Sequence, residues 1–330
     1  MRRRSVPIRD WGERGLIGWL RRQRQRVPFS PAYRLLKGIG DDAAIIAGRG
    51  SGKLLVSCDA LVEGVHFDRQ RASGADVGWK AGAVNISDIA AMGGRPLYLL
   101  VSVALPAGIE RAWAQGFFRG LLAAARRYGA AVIGGDTVAS PGPVFVDVAV
   151  IGECARPVMR DGARAGDALF VTGTLGDSAA GLISLQRRSG VRALERHHLR
   201  PQPQVEIGHL LAAKGIPTAM LDMSDGLSRD IRNLCDASRC GAQIQAGAIP
   251  ISRSVRRFCA RAGLDPLTLA LHGGEDYRLL FAVSPRKVAV VTELEHCQRI
   301  GTLIEKGYYV QSEAGIEPFG EGAWSHFAAE

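Results

Sequence analysis

Thr218-Ala-Met-Leu-Asp222-Met-Ser-Asp-Gly226 reads as an apolar strand that runs into two carboxylates and a glycine, and a helical stretch follows over 225–237. A strand that delivers acidic groups at its C-terminal end and then feeds a helix is the place where α/β folds bind ligands. Ser224 or Asp225 can cap that helix. Capping leaves Asp222 unexplained, since it would sit partly buried with no basic neighbour in sequence.

Working outward, five further acidic segments recur along the chain: Gly38-Ile-Gly-Asp-Asp42, Ser57-Cys-Asp59, Asn85-Ile-Ser-Asp88, Gly134-Gly-Asp-Thr137 and Gly273-Gly-Glu-Asp276. Each alone reads as a turn. As a set they point to a Mg-nucleotide site, because magnesium takes one or two carboxylates per ion and completes its shell with water and substrate phosphates. The two glycines before Asp136 read as the end of a strand where backbone approaches a phosphate. Arg160 and Arg164 can neutralise phosphate charge with planar guanidinium forks. His66, in Val62-Glu-Gly-Val-His-Phe67, is a lone histidine of the kind that is more often structural or exposed than catalytic.

The elements between these segments set the fold class. Ala43–Ala47 and Leu54–Ser57 flank a glycine-rich turn and predict a hairpin. Gly52-Lys53 mimics the end of a phosphate-binding P-loop, yet Leu54 replaces the hydroxyl residue and no helix opens there. Over 77–92, Ala81, Val84, Asn85, Asp88 and Met92 share one stripe of a small-residue helix, so Asn85 and Asp88 face the same buried or cleft side. A carboxylate there needs a partner, either an arginine or a metal. Strands over 97–105, 130–133 and 144–151 mix with a helix over 110–128 without a regular βαβ rhythm. The expected class is α/β, layered as α+β or as an open-faced α/β sheet, and no GxGxxG supports a dinucleotide site. A turn-rich stretch over 153–166 divides the chain into a domain of residues 1–153 and one of residues 154–330.

The net charge of +10 is lopsided. Ten arginines fall within residues 1–36, where 11–26 read as a short amphipathic helix, and the remaining chain is nearly balanced. No basic face for nucleic acid is expected on the body of the protein. Six cysteines show neither a CxxC pair nor zinc-type spacing and read as reduced thiols. No signal core or membrane-spanning stretch is evident, so a cytoplasmic location is expected.

Taken in order, Gly-Ile-Gly-Asp-Asp42, Ser57-Cys-Asp-Ala-Leu-Val-Glu-Gly-Val-His-Phe67, Ala83-Val-Asn-Ile-Ser-Asp-Ile-Ala-Ala-Met-Gly93, Gly-Gly-Asp-Thr137, Val171-Thr-Gly-Thr-Leu-Gly-Asp-Ser-Ala-Ala-Gly-Leu182, His198-Leu-Arg-Pro201, Asp222-Met-Ser-Asp-Gly-Leu227 and Gly273-Gly-Glu-Asp-Tyr277 resemble the thiamine-monophosphate kinase family. The resemblance runs from about Gly38 to the C-terminus. It implies the two-domain fold of aminoimidazole ribonucleotide synthetase-like enzymes, a homodimer joined through N-terminal-domain strands, and transfer of the γ-phosphoryl of ATP to thiamine monophosphate with several Mg2+. That transfer is the last step of thiamine diphosphate biosynthesis.

By matching positions, the resemblance makes Asp42, Asp59, Asp88, Asp136, Asp222 and Asp225 metal ligands, with the Ser57-Cys58 pair beside them. Gly135, Asp136, Arg160 and Ser224 fall where ATP is held, and His66, Glu275 and Trp324 where the acceptor sits. No covalent nucleophile or general base is expected, because an acceptor phosphate is already anionic at neutral pH. Cys58 stands where the family often has Thr or Ser, which puts a side-chain contact to metal in doubt and leaves a backbone carbonyl contact untouched. A selenophosphate-synthetase-like or amidine-forming enzyme of the same superfamily is a rival, opposed by the lack of an N-terminal cysteine before Cys58. A cation-binding protein whose basic start grips RNA or a membrane is another.

Overall fold

The computed structural model describes residues 17–18, 33–48, 52–318 and 320. The amphipathic segment expected over 11–26 lies almost wholly outside them. The first sheet comprises β1 (Arg34–Lys37), β2 (Ala44–Ala47), β3 (Lys53–Val62), β4 (Arg95–Pro106), β5 (Ala131–Ser140) and β6 (Phe145–Cys154), in the order β1-β2-β3-β6-β4-β5. Its pairs are antiparallel except β4 with β5. The alternation read from the sequence is present: Val101 and Val103 on β4 and Val146, Val148 and Val150 on β6 are buried, while Tyr98, Leu100 and Phe145 are exposed.

Two helices cover the buried face, α1 (Gly74–Ala91) and α2 (Arg111–Arg127). A capping box between Ser73 and Asp76 starts α1. The helices lie unusually close because glycines line the contact. A Cβ at Gly78 would stand 1.9 Å from the Phe117 carbonyl oxygen, and one at Gly120 2.0 Å from that of Ala75.

The second sheet is built from β7 (Ala168–Thr172), β8 (Pro217–Asp222), β9 (Gly241–Gln245), β10 (Leu279–Val283), β11 (Cys297–Ile304), β12 (Tyr308–Ser312) and β13 (Gly315–Pro318). Its order is β13-β12-β9-β11-β7-β10-β8. β7 and β10 are buried at every residue, as uninterrupted apolar strands covered on both faces must be. One face carries Leu169, Val171 and Leu280 into a core shared with α6 (Leu227–Ser238) and α8 (Pro266–His272). The other carries Phe170 and Phe281 against α5 (Val205–Ala213), α9 (Val288–Thr292) and Ala91 at the end of α1. Helices α3 (Asp177–Arg187), α4 (Arg192–Leu199) and α7 (Arg253–Ala262) form a smaller cluster beside it.

Helix α1 therefore packs on the first sheet and also against α5 and β8. This position sets Lys80, Asn85, Ser87 and Asp88 between β3 and the turn that leads from β8 into α6.

One sequence expectation changes here. The strand read as ending before Gly134-Gly-Asp136 instead runs on to Ser140, with a bulge opposite Leu99 and Leu100. Gly135 is required by that strand, since its φ is +150° and a Cβ would lie 1.8 Å from the Val101 carbonyl oxygen.

Candidate active site

Three acidic segments converge where α1 meets both sheets. Carboxylate oxygens of Asp42, Asp88 and Asp222 lie within 4.8 Å of one another. Asp42 comes from the turn into β2, Asp88 from α1 and Asp222 from the last residue of β8, so strand, helix and turn each deliver one. Ser57 Oγ donates to Asp88 Oδ2 at 2.6 Å and lies 3.0 Å from the Asp42 carbonyl. Ser87 Oγ donates to Asp222 Oδ2. Asn85 accepts the Asp59 N–H at 2.9 Å and thereby fixes β3 against α1, on the buried side of the helix that the stripe predicts.

Like charges in a desolvated place resist ionisation together. Burial, then Arg160 in opposition and Asp41 in support, leaves Asp42 pushed up to about 6. Burial, then Asp42, raises Asp222 to about 7. Asp88 is pushed well above the carboxylate range by burial and by Asp59, Asp222 and Asp42. Arg160 is the nearby cation: it bonds Asp42 and sits 3.6 Å from Asp41, so the basic neighbour that Asp222 lacks in sequence is supplied by the fold.

A cleft of about 490 Å³ opens beside the cluster, lined by Asp42, Arg160, Asp222, Ser224, Asp225 and Asp230 among others. Gly226, not Ser224 or Asp225, is the N-cap of α6, and it makes no side-chain cap bond. The carboxylate of Asp230 folds back instead, accepting the Gly226 N–H at 3.1 Å. Ser224 is thereby left exposed in the cleft wall, and Asp225 pairs with Arg229 at 3.1 Å. The donor set suits magnesium: all the groups are hard oxygens, and Asp42 Oδ2 is buried without any hydrogen-bond partner.

Two of the acceptor residues implied by the resemblance, His66 and Glu275, gather around Lys80, about two turns earlier along α1 than Asp88. Lys80 Nζ donates to the His66 carbonyl at 2.9 Å and lies 2.7 Å from Glu275 Oε1. His66 Nδ1 accepts the Val62 N–H at 3.0 Å. His198 Nδ1 lies 3.2 Å from Glu275 Oε2 and 3.1 Å from Ser178 Oγ. Sequence reading passed over Lys80, His198 and Asp230. A lysine at 80 shares the i, i+3, i+4 stripe with Val77, Ala81 and Val84, and that was the available signal.

Four expected site residues stand elsewhere. Side chains alternate along β3, so Ser57 and Asp59 face α1 while Cys58 is exposed on the opposite face with only its carbonyl indifferent to that choice. Gly135 and Asp136 lie on edge strand β5, across β4 and β6 from β3. Gly135 sits level with Asp59, and Asp136 pairs with Ser102. Three strand spacings amount to about 14 Å, so within one chain Asp136 does not join the cluster. Trp324 lies outside the described residues, and Arg164 is exposed beside the second sheet, its N–H donated to Asp167 at 3.1 Å.

Residues 40–154 match the family model "AIR synthase related protein, N-terminal domain", and residues 164–312 match "AIR synthase related protein, C-terminal domain". The thiamine-monophosphate kinase of Aquifex aeolicus is 35% identical over 98% of this chain and 100% of its own length. The chain belongs to the thiamine-monophosphate kinase family. The family member from Rhodopirellula baltica is 37% identical over 84% of each chain. Among solved structures, AaThiL complexed with AMPPCP and TMP superimposes with a TM-score of 0.87 at 34% identity, over 98% of this chain and 100% of that one. The chain is therefore an enzyme of the kinase class with two AIR synthase related domains.

Proposed function

We propose that this chain transfers the γ-phosphoryl group of ATP to the phosphate of thiamine monophosphate, giving thiamine diphosphate and ADP by direct in-line attack. The observation that carries this reading is the convergence of Asp42, Asp88 and Asp222 beside a cleft, in a chain of this family. The relative complexed with AMPPCP, an ATP analogue, and TMP supports the choice of both substrates.

Several Mg2+ would be held by Asp42, Asp59, Asp88, Asp222 and Asp225 with Ser57 beside them. Bound magnesium supplies charge neutralisation for phosphate oxygens. Arg160 and Ser224, in the cleft wall, are assigned to the nucleotide. Arg160 adds a fixed cation whose fork matches phosphate oxygens. His66, Glu275 and Trp324 are assigned to the acceptor. The acceptor oxygen is already anionic, so the residues around it need to orient it and need not remove a proton.

Gly135 and Asp136 fit the nucleotide end only if they serve a second copy. The open face of the first sheet, with Tyr98, Leu100, Phe145 and Val138 exposed, supports a homodimer joined through these strands. In that dimer each copy lends the Gly135-Asp136 strand to its partner's cluster. The division into domains at 153/154 and a cytoplasmic location remain part of this proposal; no helix among the described residues is long and apolar enough to cross a membrane.

Purified full-length protein with ATP, Mg2+ and thiamine monophosphate should give thiamine diphosphate and ADP in equal amounts. Release of AMP, or ADP without thiamine diphosphate, would remove the assignment.

A further inference from the structure

Lys80 is 2% exposed in the middle of α1. An ammonium buried so far is strongly destabilising unless it is paired and hydrogen-bonded. Both conditions are met by segments remote in sequence: the His66 carbonyl at 2.9 Å and the Glu275 carboxylate at 2.7 and 2.9 Å.

Glu275 is held under tension. Its φ is +63° and that of Tyr277 is +48°, a region that is strained for a non-glycine residue. Three anchors offset the cost. The Glu275 N–H donates to the Ser224 carbonyl at 2.7 Å, and the Tyr277 N–H to the Met223 carbonyl at 2.9 Å, which ties the loop to the β8–α6 turn. Asp276 accepts the N–H groups of Gly176 at 2.7 Å and Ser178 at 3.2 Å, at the start of α3. Lys80 is the third anchor and the one that reaches α1.

His198 does not duplicate it. Burial, with Lys80 adding to it, lowers His198 to about 4, so the imidazole is neutral and Lys80 carries the positive charge. Burial would raise the Glu275 carboxyl, yet the charge and hydrogen bond of the Lys80 ammonium oppose it, and the group stays below its usual range.

We propose that Lys80 is a positioning residue of the acceptor site: one ammonium clamps the His66 segment to the Glu275 carboxylate and so sets the distance between the two sides of the thiamine-phosphate pocket. This rests on the acceptor assignment made above. The partners of Lys80 Nζ are the His66 carbonyl and the Glu275 carboxylate, and none of them is a nucleotide-end carboxylate. Its loss would therefore fall on the acceptor and leave the ATP end intact.

The test is steady-state kinetics on full-length wild type, Lys80→Met, Lys80→Arg, Glu275→Gln and the double variant Lys80→Met/Glu275→Gln. Wild-type turnover of thiamine monophosphate tests the functional reading itself, separately from the variants. Lys80→Met should raise KM for thiamine monophosphate about tenfold or more and keep KM for ATP within about twofold. Lys80→Arg should recover part of that loss. The double variant should be no worse for the acceptor than the worse single one, because both remove the same clamp. A merely structural lysine would lower Tm and active-enzyme yield with acceptor KM unmoved, or give additive KM effects, and either result overturns the proposal. Should Lys80→Met fail to fold, Lys80→Arg decides: an acceptor KM equal to wild type overturns the proposal, and a selective rise supports it.

Discussion

Asp222 condenses the chemistry into one side chain: a strand-terminal carboxylate, 7% exposed, within reach of two others. Without metal it is pushed up to about 7 by burial and by Asp42, which is itself raised to about 6. Both start from 3.8 in an unfolded chain, so the folded protein binds more protons between roughly pH 4 and 7. The stability these groups contribute is complete below about pH 4 and is lost as pH rises through 6 and 7. A divalent cation reverses the preference by favouring the ionised pair. In EDTA, wild-type Tm should therefore fall across roughly pH 4–7 more steeply than that of Asp222→Asn. Added Mg2+ should raise wild-type Tm by roughly 3–6 °C at pH 8 and much less at pH 5.5, with the gain reduced in Asp222→Asn. Equal slopes and equal magnesium gains in the two proteins would detach Asp222 from the metal.

At the scale of elements, what the sequence made legible follows from pattern strength. The β2–β3 hairpin, α1 and the β8–α6 junction each carry an unbroken period or a clear turn, and each lies within a few residues of its expected place. Helices α4, α7 and α8 were not read. In α7, Val255, Phe258, Cys259 and Ala262 do fall at i, i+3, i+4 and i+7 among arginines, so the apolar stripe was present and was overlooked. β11, β12 and β13 lie beyond the last acidic motif and were also passed over. The continuation of β5 through Gly134-Gly135 was hidden because glycine signals a turn, while here it serves close approach to Val101. The six acidic segments identified a site, but not which of them meet within a chain. That depends on strand order, and β5 at the sheet edge is separated from β3 by two strands that no local pattern announces. The same holds for faces. Cys58 and Ser57 are adjacent in sequence and point to opposite sides of the sheet, a fact fixed by register alone.

For the whole molecule, the proposed dimer is the arrangement that would carry Asp136 of one copy to the acidic cluster of the other. Asp136→Asn and Asp222→Asn should each be inactive alone. Coexpressed, they should recover about a quarter of wild-type activity, because half of randomly formed dimers then hold one intact site of two. No recovery in a mixture that does form heterodimers would return Asp136 to its own chain. Direct transfer can be followed with γ-labelled ATP, Mg2+ and wild-type protein, quenched rapidly at alkaline pH before and after thiamine monophosphate is added. The Nδ1 of His66 is already occupied by the Val62 N–H at 3.0 Å. The protein should stay unlabelled throughout, and the label should pass into thiamine diphosphate in step with ADP. Stoichiometric label on the protein that is then chased into thiamine diphosphate, or label that appears only as inorganic phosphate, would contradict direct phosphoryl transfer at this site.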